Sequence, residues 1–262
     1  LFLISLMECF MPQLKKTEFL ISQIKSKNIL SLNNLSNIEG GSLSAIFNTE
    51  SIWHFLYNKD YREYIYSCQN LAIDGVGLKL ALGFKGHNVD RFHGPDLCSE
   101  FINNRLKYDA SILVLGGQEQ NFDLVEDKKI DDFLPLPIMN NISDFEKSYE
   151  NLSKFICLYN GRKVIMVSLG LPKQEMFCQW LFRKFELDPL INEKEVILFP
   201  VGAAIDFLSG YKVRSSIFWQ KCGLEWLPRL VREPRMLVRV FRSVASIFFL
   251  MSGYFFSKKN RI

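Results

Sequence analysis

Four short apolar runs punctuate the chain, at 71–73 (Leu-Ala-Ile), 112–115 (Ile-Leu-Val-Leu), 164–167 (Val-Ile-Met-Val) and 196–199 (Val-Ile-Leu-Phe). None alternates apolar with polar positions, and β-branched types are frequent in them. A strand with one wet face alternates, so unbroken runs of this length predict strands covered on both faces, as in parallel sheets. Helical stretches lie between and beside them, at 95–106, 142–159 and 172–185. Strand and helix alternate, which predicts an α/β fold built on a doubly wound, mainly parallel, Rossmann-like sheet. The expected division is an N-terminal helical segment over 1–42, an α/β core over 43–211 and a C-terminal helical appendage over 212–262.

In the appendage, 215–222 and 224–256 read as successive helices, broken or kinked at Pro228 and Pro234. On a helical wheel Arg229, Arg232, Arg235, Arg239 and Arg242 share one side. Leu230, Leu237, Val238, Phe241, Val244 and Phe248 take the other. The run 244–256 holds no charge, but it is shorter than the roughly 20 residues a membrane span needs. Extending it backward brings in Arg242 and Arg239, which are costly in hydrocarbon. An interfacial helix on an anionic membrane surface is therefore the favoured reading, ahead of packing on the core or on a second subunit.

Charge sharpens this picture. The chain carries a formal +4. From 226 onward eight cations face the single acid Glu233, so the tail is +7 and the remainder −3. That asymmetry selects an anionic partner. The tail interleaves arginine with bulky aliphatic residues and carries no recognition motif, which argues against nucleic acid. An apolar content of 48% excludes disorder. The six cysteines are scattered without a Cys-x-x-Cys pair, and the three histidines do not cluster. These spacings predict a reducing, cytoplasmic setting and no metal site. Residues 1–11 are apolar but make a poor secretion signal, lacking a basic start and a small-residue cleavage site.

Chemistry-bearing residues fall at the ends of the predicted strands. Asp74 follows the first run and precedes Gly75 and Gly77, a place where open α/β sheets contact ligands. Spacing alone leaves it as a general base or as the cap of the following helix. No Gly-x-Gly-x-x-Gly pattern follows, since Leu80 stands at the third position, so dinucleotide binding by that route is not expected. Arg91 precedes Gly94-Pro95-Asp96 and suits either a phosphate or a surface ion pair. Lys173 and Gln174 sit in the first turn of a helix after Gly170-Leu-Pro172, a setting for an anion or sugar hydroxyls. Glu175 there suits the helix dipole. Small residues from Gly202 to Asp206 let a ligand lie against backbone.

Taken together, Asp74-Gly-Val-Gly77, Gly94-Pro-Asp96, Gly116-Gly117, Gly170-Leu-Pro-Lys-Gln-Glu175, Val201-Gly-Ala-Ala-Ile-Asp206 and Gly223-Leu-Glu-Trp226 with Arg229, Glu233-Pro234 and Arg235 resemble the WecG/TagA/CpsF family of bacterial glycosyltransferases. The resemblance implies a peripheral enzyme on the inner face of the plasma membrane, with a UDP-sugar donor, often of the N-acetylmannosamine type. Its implied acceptor is N-acetylglucosamine on undecaprenyl diphosphate, and its chemistry an inverting transfer with no metal or other cofactor. By the same resemblance Asp74 is the base, Gln174 an active-site glutamine and Arg91 the group steadying the departing diphosphate. Asn48 and Thr49 belong to the donor pocket, with Gly75, Gly77, Gly116, Gly117, Gly170, Lys173, Gly202 and Asp206 around the substrates. Arg229, Arg235 and Arg239 match the cationic appendage over the lipid diphosphate. One position departs: Ile46 stands where the family often has threonine, and the nearby hydroxyls are Ser44 and Thr49. That departure supports an alternative, a non-catalytic sugar-nucleotide-binding protein. An exposed apolar tail also favours a homo-oligomer away from the membrane.

Overall fold

The computed structural model describes residues 2–31, 34–119, 123–127, 129–137, 142–222 and 224–259. Along the chain the elements are α1 (Phe2–Ser26), β1 (Asn28–Ile29), β2 (Ser42–Phe47), α2 (Thr49–Tyr57), α3 (Lys59–Ser67), β3 (Asn70–Ile73), α4 (Val76–Phe84), α5 (Gly94–Asn103), α6 (Arg105–Tyr108), β4 (Ser111–Leu115), α7 (Asp123–Glu126), β5 (Asp132–Leu134), α8 (Ile142–Cys157), β6 (Lys163–Val167), α9 (Lys173–Phe185), β7 (Val196–Pro200), α10 (Ala204–Leu208), α11 (Ile217–Cys222), α12 (Trp226–Arg232) and α13 (Leu237–Lys259). The strands form one all-parallel sheet in the order β1-β3-β2-β7-β6-β4-β5. All four apolar runs are strands of it.

Successive strand residues point to opposite faces, so each unbroken apolar run feeds two cores. Ile165 and Val167 join Leu113, Leu115 and Leu198 beneath α2, α3, α8 and α9. Val164 and Met166 join Ile112, Val114 and Phe199 beneath α5 and α10. The interior strand β2 escaped the apolar-run criterion because serines interrupt it. Ser44 is nonetheless fully buried, and its hydroxyl accepts a hydrogen bond from the Asn70 amide of β3 at 3.2 Å. The sheet also reaches into the N-terminal segment, where β1 pairs with β3.

The helices begin and end where side chains satisfy or interrupt the backbone ladder. Asn48 and Ser51 form a reciprocal capping box at the start of α2, and Asn58 caps α3. The helical stretch expected at 95–106 divides at Asn104 into α5 and α6. Pro228 does not break its helix. It is the third residue of α12, within the first turn, where a missing N–H leaves no intrahelical bond unmade. Pro234 does end it, because the residue before a proline is driven from the helical region; Glu233 has φ −127° and ψ 80°.

The last helix is built into the molecule. α13 packs on α1, α2 and α4, and Leu250 is completely buried. Gly77 makes room for it: a Cβ there would lie 2.8 Å from a methyl of Ile247. Gly116 is held harder still, with φ +76° and a phantom Cβ 2.9 Å from the Ser168 carbonyl oxygen. Gly116→Ala therefore destabilises the fold by about 1–3 kcal/mol through left-handed strain and a backbone clash. Urea unfolding checks this, as a lowered midpoint with an unchanged slope.

Candidate active site

Parallel register sets the strand ends flush. Leu115 pairs with Val167, Val167 with Pro200, and Phe47 with Ile73. The residues just beyond those ends surround a cavity of about 530 Å³ at the carboxyl edge of the sheet. Open α/β sheets bind ligands at this edge, where backbone N–H groups and helix N-termini converge. Of the residues singled out in the sequence, Asn48, Asp74, Gly117, Gly170, Lys173, Gln174, Gly202, Asp206, Arg229 and Arg239 line the cavity.

Asp74 follows β3 directly, its N–H bonded to the Phe47 carbonyl at 2.8 Å. The Phe92 N–H bonds the Ile73 carbonyl at 2.8 Å, which lays 92–94 alongside the end of β3. His93 is thereby placed with Nδ1 3.0 Å from Asp74 Oδ1. The Arg91 guanidinium rests against His93 Nε2 and donates to the Gln220 carbonyl of α11 at 3.3 Å. Arg91 thus lies behind His93 and is not part of the cavity lining. Asn48 uses its side-chain oxygen for the α2 cap, accepting from the Ser51 N–H at 3.0 Å; its amide NH2 remains as a ligand donor.

On the opposite wall the Gln174 carbonyl accepts from the Gly170 N–H at 3.0 Å, and its amide donates to Glu175 Oε1 at 2.9 Å. Both links fix the side chain's orientation, and one amide hydrogen remains for a ligand. Glu175 is 2% exposed, and its Oε2 has no hydrogen-bond partner. Asp206 is likewise buried; Oδ2 accepts from Lys212 at 2.8 Å while Oδ1 is unpartnered. Ser168 donates to the Gly202 carbonyl at 2.8 Å, tying the loop after β6 to the loop after β7.

The appendage forms the roof. Arg229 stacks over the Phe207 ring at 5.3 Å. Burial, and then the neighbouring Arg239, lower its pKa, yet a guanidinium retains its charge. Arg239 Nε donates to Glu50 Oε2 at 2.7 Å, and Arg242 lies 3.8 Å from Glu50 Oε1. Burial works to raise the Glu50 carboxyl, but the nearby His54, 3.9 Å away, and the bonded Arg239 outweigh it and hold it low. The Arg235 side chain falls outside the described residues.

Thr49, Gly75, Gly77 and Gly116 shape the surroundings rather than the wall. Gly75 is the N-cap of α4 at φ +88°, and the Thr49 methyl sits 3.4 Å from where a Cβ on Gly77 would be. Ile46 lines the cavity, whereas Ser44 is committed to Asn70. Sequence reasoning passed over His93 and Glu50 and gave Glu175 only a dipole role. Asp74 lies 19 positions from His93 and Arg239 lies 189 from Glu50, so no spacing signals those contacts, and the burial of Glu175 is a tertiary property. Among the described residues no group of three or more His, Cys, Asp or Glu is placed to hold a metal ion.

Burial pushes the Glu175 carboxyl up to about 7, against the opposing Gln174 bond. The folded state thus favours the protonated acid more than the unfolded chain does. The resulting stability is fully present below the unfolded value near 4.5 and is lost as pH rises through 7, roughly 2–3 kcal/mol between pH 5 and 8. Glu175→Gln removes this dependence. In thermal melts the variant gains on the parent protein as the pH is raised from 5 to 8.

A polar cavity at the carboxyl edge of a parallel sheet, with carboxylates on its walls and arginines in its roof, fits a sugar or phosphate ligand. Residues 20–261 match the model of the glycosyl transferase WecG/TagA/CpsF family. The match takes in the sheet, the cavity and the appendage together, and the chain belongs to that family of glycosyl transferases.

Proposed function

We propose that the protein is an inverting glycosyltransferase of cell-surface polymer synthesis that moves a sugar from a UDP-sugar to a lipid-diphosphate-linked N-acetylglucosamine. One observation carries this reading: a carboxylate at the end of β3 and a half-buried guanidinium from the appendage share one cavity. Asp74 takes the proton of the acceptor hydroxyl as its oxygen attacks the anomeric carbon. The bond from that carbon to the diphosphate oxygen breaks, and the electron pair leaves with UDP. Negative charge grows on the diphosphate, and fixed cations lower the barrier by stabilising it there. Arg229 and Lys212 are the cations suited to that task, together with Arg239 once it shares itself between Glu50 and the ligand. The Gln174 and Asn48 amides donate to sugar or phosphate oxygens, the open oxygen of Asp206 accepts from hydroxyl or N–H groups of the donor, and that of Glu175 accepts when ionised and donates when protonated. Binding of the nucleotide and the chemistry need no metal in this scheme.

The outer face of the appendage supports a peripheral position on an anionic cytoplasmic membrane surface. Leu237, Val238, Phe241, Val244 and Phe248 of α13 are each more than half exposed, as are Ile217 and Phe218 of α11. No helix among the described residues is long and apolar enough to cross a membrane. A lipid-anchored acceptor is met at the surface, and an apolar stripe above arginines holds the cavity mouth against it.

Two experiments test this reading. Purified protein is incubated with a panel of UDP-sugars and a synthetic N-acetylglucosaminyl diphospholipid, with and without EDTA, and UDP release is followed by mass spectrometry. One donor is consumed in both conditions, and Asp74→Asn lowers turnover at least about 100-fold, the scale of a placed base; undiminished turnover by that variant removes Asp74 from the chemistry. Phe241→Glu with Phe248→Glu weakens co-sedimentation with phosphatidylglycerol vesicles by roughly tenfold or more, since each tenfold takes only about 1.4 kcal/mol. Transfer to a short-chain, water-soluble acceptor persists in that double variant. Truncating the appendage is a poorer test, because it would uncover the core that α13 covers through Phe249 and Leu250 and remove Arg229 from the cavity.

A further inference from the structure

We infer that His93 is a positioning residue, one that holds the Asp74 carboxylate in the orientation from which it receives the acceptor's proton, and that Arg91 and the appendage hold His93 in turn. This rests on the reading of Asp74 as the base. The arrangement is a chain of contacts: Gln220 carbonyl to Arg91 guanidinium, Arg91 to His93 Nε2, and His93 Nδ1 to Asp74 Oδ1 at 3.0 Å.

The chemistry of the donors fixes its direction. A guanidinium has hydrogens to donate and no lone pair to offer. His93 Nε2 must therefore accept from Arg91, which excludes a proton on that nitrogen. The hydrogen-bonding nitrogen toward the carboxylate is Nδ1, which donates to Asp74 Oδ1 at 3.0 Å. Oδ1 of the carboxylate is thus occupied, and Oδ2 is left to take a proton. A general base works only within hydrogen-bond reach of the proton it removes, so a carboxylate free to rotate at the end of a strand spends little time in that geometry.

The surroundings are built to hold this ring. The His93 carbonyl accepts the Leu97 N–H at 2.9 Å, starting α5. Gly94, next in the chain, packs against Ile46 and Ala204. The His93 and Asp74 side chains are only 18% and 26% exposed. The charged groups acting here are Asp74 from the end of β3, Arg91 from the loop before α5, and Arg229 from α12, whose charge is felt at Asp74. Because Gln220 belongs to α11, seating the appendage and orienting the base are one event. Arg91 then acts through His93 rather than on the leaving diphosphate.

The test uses the full-length protein and three variants, His93→Leu, His93→Asn and Asp74→Asn, with the His93→Leu/Asp74→Asn double variant. An asparagine amide places an N–H near the position of Nδ1; leucine places none. His93→Leu is expected to lower kcat about 10- to 100-fold, part of what a placed base supplies, with the donor KM unchanged. His93→Asn recovers most of that loss, and in the Asp74→Asn background His93→Leu causes no further fall. Full turnover by His93→Leu, or an equal loss in both backgrounds, overturns the inference. A measurement independent of turnover is the set of imidazole nitrogen shifts in histidine-labelled protein, where only three histidines need assignment. His93 is expected to carry its hydrogen on Nδ1, and Arg91→Leu, which removes the donor to Nε2, releases that constraint. A hydrogen found on Nε2 overturns the inference whatever the enzyme's rate. Absence of transfer by the parent protein with any donor counts against the glycosyltransferase chemistry, while the nitrogen shifts still decide the His93 contact.

Discussion

All-parallel pairing in flush register is the constraint on which the site depends. In a parallel sheet every strand ends at the same edge, and each crossover returns the chain to the opposite one. β2, β3, β6 and β7 therefore deliver Asn48, Asp74, Ser168 and Val201 to neighbouring places, although these residues are separated by up to about 150 positions in the chain. Burial on both faces makes that register difficult to shift. A slip of one residue would exchange Val164 and Met166 with Ile165 and Val167, reversing which core each fills. The cavity's geometry is thus a consequence of apolar packing well below it.

The appendage is joined to this frame by a different interaction, a buried carboxylate. Glu50 is 5% exposed and takes Arg239 directly, with Arg242 nearby. A carboxylate so placed is stable only while its cations stay, since removing one partner leaves an uncompensated buried charge. Around this pair the apolar inner side of α13, with Phe249 and Leu250, closes on α1 and α2. The outer side remains apolar and exposed. The same helix thereby serves the core and the cavity roof and keeps an exposed apolar side.

Polar groups at the cavity are held rather than merely present. Gln174 is tied at both ends, and Asp206 is bridged to Lys212. Asp74 is held by His93, with Arg91 behind it. Glu175 is the exception, buried with one open oxygen and an acidity moved toward neutrality. Open acceptors next to arginine donors form a site complementary to a ligand bearing both hydroxyls and phosphate, and the family to which the chain belongs transfers glycosyl groups.

Much of this was legible in local pattern. Unbroken apolar runs told of doubly covered strands because burial on both faces leaves no polar alternation to preserve. Asp74, Gln174 and Gly202, which line the cavity, stood out because turn chemistry at strand and helix ends is local, and Arg229 stood out on the arginine side of the appendage. β2 was not, since its serines are satisfied by a partner strand and look polar in isolation. Nor was Pro228, whose effect depends on where its helix begins. The contacts of His93, Glu50 and Arg91 were decided only by tertiary structure. Each depends on a contact between segments whose distance in the chain carries no information about their distance in space, and on burial, which gives an ordinary carboxyl or imidazole a fixed partner.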